Sequence, residues 1–131
     1  MPASPPLRMP DLHGLTILVV DDDDDAIEVL STFLKACGAK TLIARSGLGA
    51  LAYVDTNPEL DIVVTDIAMP HMDGVAFARK LRQHPSRHRL PVIALTGFYE
   101  EYVDANLFDS FLRKPVDFDD LGAIIRSLTY R

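Results

Sequence analysis

Short apolar runs alternate with amphipathic stretches along the chain. The first run, LTILVV at 15–20, is apolar except at Thr16, which is typical of a strand covered on both faces of a sheet. Behind it, apolar residues recur at helical spacing from 26 to 37, and Gly38 is a typical helix stop. The same pair of elements recurs, with further strands predicted at 41–44, 60–66, 90–97 and 110–114.

Five such alternations predict an α/β fold with a parallel sheet and helices on both faces, because each right-handed crossover lays a helix on one face. Ser46 and Asp117 are predicted to cap the second and the last helix. The first residues are rich in proline and lack a regular apolar period. We therefore expect a flexible tail at 1–13 and a single domain at 14–131.

Composition narrows the classes of function. The net charge of −6 argues against a nucleic-acid partner, since that binding needs clustered basic side chains. No apolar run approaches the about 20 residues that span a bilayer, so no membrane partner is expected. The single cysteine, Cys37, excludes an intramolecular disulfide and suits a reducing, cytoplasmic setting. A solvated basic helix face and loop is predicted from Arg79, Lys80, Arg82, Arg87 and Arg89.

Polar side chains stand at the carboxyl ends of four predicted strands. They are Asp21, Asp22, Asp66, Thr96 and Lys114. In a parallel sheet these ends share one edge, where ligands usually bind. Carboxylates that meet there repel one another unless a cation lies between them. Oxygen ligands without His or Cys favour Mg²⁺, completed by phosphate oxygens, over zinc.

Asp21 and Asp22 open a run of five aspartates, whose simplest explanation is a solvated turn before a helix. Because Asp66, Thr96 and Lys114 stand at the other strand ends, we expect the five aspartates to have two different roles. Asp21 and Asp22 are expected to face the pocket. Asp23, Asp24 and Asp25 are expected to cap and charge the first turn of the helix, where acids suit the helix dipole.

Four motifs in this order, VVDDDDD, TDIAMPHMDG, ALTG and FLRKP, resemble the response-regulator receiver domain of bacterial phosphorelay signalling. The resemblance covers roughly residues 14–128. It implies a flavodoxin-like, doubly wound, five-stranded parallel sheet with the strand order 2-1-3-4-5. Between Thr96 and Lys114 the chain is shorter than the usual family pattern by about one helical turn. A short or irregular fourth helix is therefore expected around 100–106.

The resemblance also implies a phosphoacceptor and a metal site. Asp66 would take a phosphoryl group from the phosphohistidine of a sensor histidine kinase or a histidine phosphotransfer protein. Mg²⁺, for which Mn²⁺ can substitute, would be held by Asp21, Asp22, Asp66 and the backbone carbonyl of Ala68.

A switch is implied by the same resemblance. Lys114 would pair with the phosphoryl oxygens, and Thr96 would move to hydrogen-bond them after transfer. Phe111 stands at the position of the aromatic residue that follows Thr96 inward. The peptide bond between Lys114 and Pro115 is expected to be cis.

These inferences predict a stand-alone receiver that signals to a downstream protein target by contact or by onward phosphotransfer, and that turns over no separate substrate. A small phosphatase of the haloacid-dehalogenase type remains an alternative, with Asp21 as its nucleophile. Its constellation would be Asp21, Asp23, Thr96, Lys114 and the pair Asp119–Asp120. A third possibility is a degenerate receiver that works by binding alone. The nucleophile, Asp66 or Asp21, discriminates the first two hypotheses.

Overall fold

Strands and helices alternate in the computed structural model, which describes residues 9–67, 73–97 and 105–130. The strands are β1 Thr16–Val20, β2 Lys40–Ala44, β3 Ile62–Asp66, β4 Val92–Thr96 and β5 Ser110–Arg113. The α-helices in these residues are α1 Asp24–Ala36, α2 Gly47–Thr56, α3 Gly74–Arg82 and α4 Phe118–Thr129. None of these helices is long and apolar enough to cross a membrane.

All five strands pair in parallel, in the order β2-β1-β3-β4-β5. This order confirms the predicted doubly wound, flavodoxin-like sheet. The chain reverses its direction of winding at β1, so β1 and β3 are neighbours, with Val20 paired to Thr65. The residues that follow this pair, Asp21 and Asp66, therefore emerge side by side at the switch point.

Alternate strand residues face two separate cores, because successive side chains of a strand point to opposite faces. Leu18 and Val63 pack in the cluster that contains the buried residues of α2 and α3. Val19 and Val64 pack in the cluster that contains those of α1 and α4. Both faces of the sheet are covered, as the continuous apolar runs predicted.

The helix starts agree with the predicted caps. Asp23 caps α1 and accepts a hydrogen bond from the N–H of Asp25 at 3.0 Å, while Asp24 and Asp25 occupy the first turn. Ser46 caps α2 and Asp117 caps α4. Each side chain satisfies an N–H group that lacks a partner within its own helix.

The segment 9–13 is packed on the domain, so the prediction of a flexible tail is wrong for these residues. Leu12 is 0% exposed, and its N–H donates to the carbonyl of Cys37 at 2.8 Å. Pro10 lies against α4 so closely that a Cβ at Gly122 would stand 2.2 Å from its Cγ. An isolated Leu and Pro have no period that would reveal this packing. Residues 1–8 lie outside the described part of the chain.

The connection before β5 contains a single 3₁₀ turn, Ala105–Leu107, in its described part. No α-helix is assigned there within the described residues, in agreement with the predicted short or irregular fourth helix. The remainder of the predicted element, 98–104, lies outside the described residues, as do Tyr99 and Tyr102.

Leu12→Ala tests the anchoring of the N-terminal segment. We expect the free energy of unfolding to fall by about 2 to 4 kcal/mol, because the substitution leaves a cavity in the core. Urea denaturation measures this change. Met9→Ala is the control, since Met9 is 48% exposed and a surface substitution should change stability by about 0.5 kcal/mol or less. Equal small effects at both positions would show that the segment is not anchored.

Candidate functional site

Three carboxylates meet at the carboxyl ends of β1 and β3. The side chains of Asp21, Asp22 and Asp66 each offer an oxygen, and these oxygens lie within 4.8 Å of one another. Asp21 and Asp66 are buried, whereas Asp22 is exposed. The strand order thus brings together the three acidic side chains that the sequence analysis grouped.

Asp21 carries the largest electrostatic cost in this cluster. Its Oδ1 accepts a hydrogen bond from the N–H of Asp23 at 3.0 Å, but its Oδ2 is buried without a hydrogen-bond partner in the described structure. Burial raises the pKa of Asp21, and the charges of Asp66 and Asp22 raise it further; the Asp23 N–H and the Lys114 ammonium act in the opposite direction. A buried acceptor without a partner normally destabilises the folded state.

A divalent cation fits this donor set. The unpartnered Oδ2 of Asp21 has a lone pair that a metal can use, and every side-chain donor in the group is a carboxylate oxygen. Mg²⁺ prefers such ligands and is usually held by one or two carboxylates plus waters and phosphate oxygens. Mn²⁺ suits the same ligands. The remaining predicted ligand, the carbonyl of Ala68, lies outside the described residues.

Lys114 supplies the positive charge of the site. Its Nζ lies 3.2 Å from Oδ2 of Asp66, and its backbone N–H donates to the carbonyl of Thr96 at 2.8 Å. The bond between Lys114 and Pro115 is cis, as the resemblance implied. β5 therefore brings an ammonium group to the carboxylate that ends β3.

Thr96 and Phe111 lie on neighbouring strands, where Phe111 pairs with Ala94, two residues before Thr96. The hydroxyl of Thr96 donates to the carbonyl of Leu112 across a long distance of 3.4 Å, which indicates a weak bond. The ring of Phe111 is 38% exposed and packs edge-on against Phe108, with ring centroids 5.3 Å apart. The role of Phe111 as the aromatic residue that follows Thr96 inward stays a prediction.

Gly74 is a residue of the site whose role the sequence analysis missed. Asp73 caps α3 by accepting from the N–H of Ala76 at 2.7 Å, and Gly74 is the first helical residue. A Cβ at Gly74 would stand 2.4 Å from the carbonyl oxygen of Asp66. Only glycine lets α3 begin this close to the backbone of Asp66. An Asp-Gly pair is typical of a turn or a helix start, and it carries no sign of what the helix will touch.

The constellation required by the phosphatase alternative is not assembled. Asp119 and Asp120 lie exposed in the first turn of α4, and neither belongs to the carboxylate group around Asp21. Asp23 is occupied as the cap of α1. Among the described residues, the carboxylate beside the ammonium of Lys114 is Asp66.

Comparison with known families decides between the remaining classes. The family model described as the response regulator receiver domain matches residues 17–126 of the chain. The chain belongs to the response regulator receiver family. Receiver domains are signalling modules of two-component systems, and nothing in the comparisons supports the phosphatase alternative.

Several relatives of this receiver domain are longer proteins. It is 37% identical over 116 residues to Regulatory protein AtoC of Escherichia coli, covering 84% of this chain but 24% of that protein. It is 40% identical over 114 residues to a 14.6 kDa protein in the sodA1 3′ region of Leptolyngbya boryana, covering 83% of this chain and 86% of the relative. A response regulator receiver protein from Pseudomonas putida has a similar crystal structure, with 30% identity, a TM-score of 0.81, and coverage of 86% of this chain and 96% of that one.

An apolar groove runs from the acidic pocket of the receiver along α1 and α4. A cleft of about 430 Å³ lies beside Asp21 and Lys114, and a second cleft of about 500 Å³ lies further along α1. Both clefts are lined by Val29 and Phe118, and the second also by Phe33. Phe33 and Phe118 stack with ring centroids 4.6 Å apart. The pocket thus opens beside an apolar surface that a protein partner can cover.

Asp21→Asn tests the electrostatic cost of the cluster. The raised pKa means that the folded state holds the Asp21 proton more tightly than the unfolded chain does. The charged carboxylate therefore lowers stability above its folded pKa. We expect Asp21→Asn to raise the Tm near pH 7 in EDTA, and the gain to shrink as the pH falls toward the ordinary carboxyl pKa of 3.8.

Thermal unfolding followed by circular dichroism across this pH range measures the effect of Asp21→Asn. Asp24→Asn is the matched control, because Asp24 lies in the same acidic run and is exposed in an ion pair with Arg45. A lower Tm for Asp21→Asn than for the parent at pH 7 would contradict the assignment.

Gly74→Ala tests the close approach of α3 to Asp66. The added methyl group must displace backbone, so we expect a loss of about 1 to 3 kcal/mol in the free energy of unfolding. Gly49→Ala in α2 is the control, because its Cβ would meet two side-chain atoms, the Oγ of Ser46 at 3.3 Å and the Cβ of Ala44 at 3.6 Å, and not a neighbouring backbone. That substitution should stabilise the helix by about 0.5 to 1 kcal/mol. Urea denaturation showing Gly74→Ala to be as stable as the parent, or more stable, would refute the close approach.

Proposed function

We propose that this receiver domain accepts a phosphoryl group on Asp66 from the phosphohistidine of a sensor histidine kinase or a histidine phosphotransfer protein, in a Mg²⁺-dependent reaction. The observation that carries the proposal is the position of Lys114 Nζ, 3.2 Å from Asp66 Oδ2. Asp66 is a buried carboxylate that lies close both to this ammonium group and to the carboxylates of Asp21 and Asp22.

In this mechanism an ionised oxygen of Asp66 attacks phosphorus in line with the leaving imidazole nitrogen. The new O–P bond forms as the N–P bond breaks, and charge spreads over the equatorial oxygens. The ammonium of Lys114 can pair with those oxygens without leaving the site. When bound, Mg²⁺ would supply further positive charge beside the phosphoryl group, held by Asp21, Asp22, Asp66 and the carbonyl of Ala68.

Phosphorylation would then act as a switch. The acyl phosphate adds nearly two negative charges and new hydrogen-bond acceptors beside Thr96. Within the described residues, the hydroxyl of Thr96 would give up one long bond to Leu112 when it turns toward the phosphoryl oxygens. Loss of this bond would change the contacts of Leu112 on β5, next to Phe111. The conformational change is therefore expected to reach Phe111 and to signal by protein contact or onward phosphotransfer.

The groove along α1 and α4 suits docking of the phosphohistidine-bearing partner. Val29 is 53% exposed, although it is apolar, and it lines both clefts with Phe118. Asp25 and Glu28 line the same groove and favour basic side chains on the partner. This arrangement supports protein partners both upstream, as the phosphoryl donor, and downstream, as the target of the signal. It does not favour a nucleic acid or a membrane as partner. The cytoplasmic setting expected from the single cysteine belongs to the same proposal.

Acetyl phosphate labelling tests the proposed phosphoacceptor. We expect intact-mass spectrometry to detect a single phosphoryl adduct that requires Mg²⁺ and is absent from Asp66→Asn, because that substitution removes the nucleophile. Lys114→Ala should slow the labelling by about 100-fold or more, the range for removing a charge-stabilising donor from a transition state.

Asp24→Asn is the control for Asp66→Asn, because it removes one charge of the acidic run without touching the pocket. It should label like the parent. An adduct that survives Asp66→Asn and is lost in Asp21→Asn would assign the nucleophile to Asp21 and overturn the proposal.

A further inference from the structure

Arg82, the last residue of α3, is fixed by four hydrogen bonds. Its Nε donates to the carbonyl of Leu107 at 3.0 Å, and its Nη2 donates to the carboxylate of Asp109 at 3.0 Å. Its Nη1 donates to the carbonyls of His88 and Leu90, at 3.1 and 2.7 Å. The side chain is 21% exposed, so the prediction of a solvated basic residue is wrong here. We call this set of contacts the Arg82 clasp.

The clasp closes around the beginnings of β4 and β5. The carboxylate of Asp109 accepts from the N–H of Val92 at 2.8 Å as well as from Arg82, and the N–H of Asp109 donates to the carbonyl of Val92 at 2.9 Å. Leu107 ends the 3₁₀ turn Ala105–Leu107, and Asp109 directly precedes β5. Arg82 therefore holds by side-chain bonds the described residues that lead into β5.

The opposite end of α3 lies against the phosphoacceptor. Gly74 begins the helix in contact with the backbone of Asp66, and its N–H donates to the carbonyl of Ile67 at 2.8 Å. Between the two ends, Phe77 and Leu81 are fully buried in the core. Packed interiors transmit strain, so a shift of the backbone at Gly74 is expected to reach Arg82. α3 thus joins the backbone of Asp66 directly to the Arg82 clasp.

The clasp also fixes the surface on which Phe111 rests. Phe111 packs edge-on against Phe108, and Phe108 directly follows the residue whose carbonyl accepts from Arg82. Leu107 and Phe108 are buried in the same cluster as the apolar face of α3. If Phe111 leaves its exposed position, Phe108 and the preceding turn lose a packing partner and must adjust. The bonds from Arg82 to Leu107 and Asp109 oppose that adjustment, and those to His88 and Leu90 hold Arg82 in place.

We propose that the Arg82 clasp is an autoinhibitory contact, which stabilises the unphosphorylated arrangement of the segment before β5. The inference rests on the proposed function, since it requires a second arrangement that phosphorylation of Asp66 favours. A contact made in only one of two arrangements shifts the equilibrium toward that arrangement. By linkage, removal of the clasp must strengthen binding of a ligand that selects the other one.

Beryllofluoride with Mg²⁺, a phosphoryl mimic at aspartate, is the probe for this test. We expect Arg82→Met to bind it more tightly than the parent by roughly fivefold or more, the range of typical coupling between sites. The intensities of the amide NMR signals of Thr96 and Phe111 give the populations of free and bound protein, and hence the affinity. Arg79→Met is the matched control, because it removes the same charge from an exposed position of the same helix.

The outcomes separate the inference from the proposed function. Equal affinities for Arg82→Met and Arg79→Met, or weaker binding by Arg82→Met, would overturn the autoinhibitory role. A parent protein that binds no beryllofluoride would overturn the proposed function, and this inference with it. If Arg82→Met does not fold, Asp109→Asn carries the same expectation, since it keeps an acceptor for the N–H of Val92 and removes the charge that faces Arg82.

Discussion

Repulsion among the carboxylates of Asp21, Asp22 and Asp66 is the constraint around which this receiver domain is arranged. The strand order forces β1 and β3 to end side by side, so three acidic side chains offer oxygens within 4.8 Å of one another. Two neighbours offset part of the cost, the N–H of Asp23 and the ammonium of Lys114. Oδ2 of Asp21 has no partner in the described structure. The site is therefore completed most naturally by a cation and an anionic phosphoryl group.

Features that depend on local patterns were predictable from the sequence. Buried strands appear as continuous apolar runs, and helix starts appear as Ser46 and Asp117 before amphipathic stretches. The carboxyl ends of parallel strands must share an edge, so the approach of Lys114 to Asp66 followed once the strands were assigned. The cost of placing carboxylates together also indicated a cation before any geometry was known.

Contacts between distant parts of the chain were not predictable in the same way. Leu12 meets Cys37, Gly74 meets the backbone of Asp66, and Arg82 binds the carbonyl of Leu107. Each involves a residue whose type fits a common local role: a tail residue, a turn glycine or a surface arginine. Only the packing of α1, α3 and the segment before β5 gives these residues their partners. Gly74 and Arg82, at the two ends of α3, also connect the acidic pocket to the surface that carries Phe111.

The claim that the carboxylates form a divalent cation site is tested most directly by an anomalous difference map from crystals soaked in Mn²⁺. We expect a strong peak bonded to Oδ2 of Asp21 and to the carboxylates of Asp22 and Asp66, and excess Mg²⁺ should displace it. A map without a peak among these three carboxylates, after soaking in millimolar Mn²⁺, would contradict the account. So would a peak that does not contact Asp21, since its unpartnered oxygen is the reason for expecting the ion.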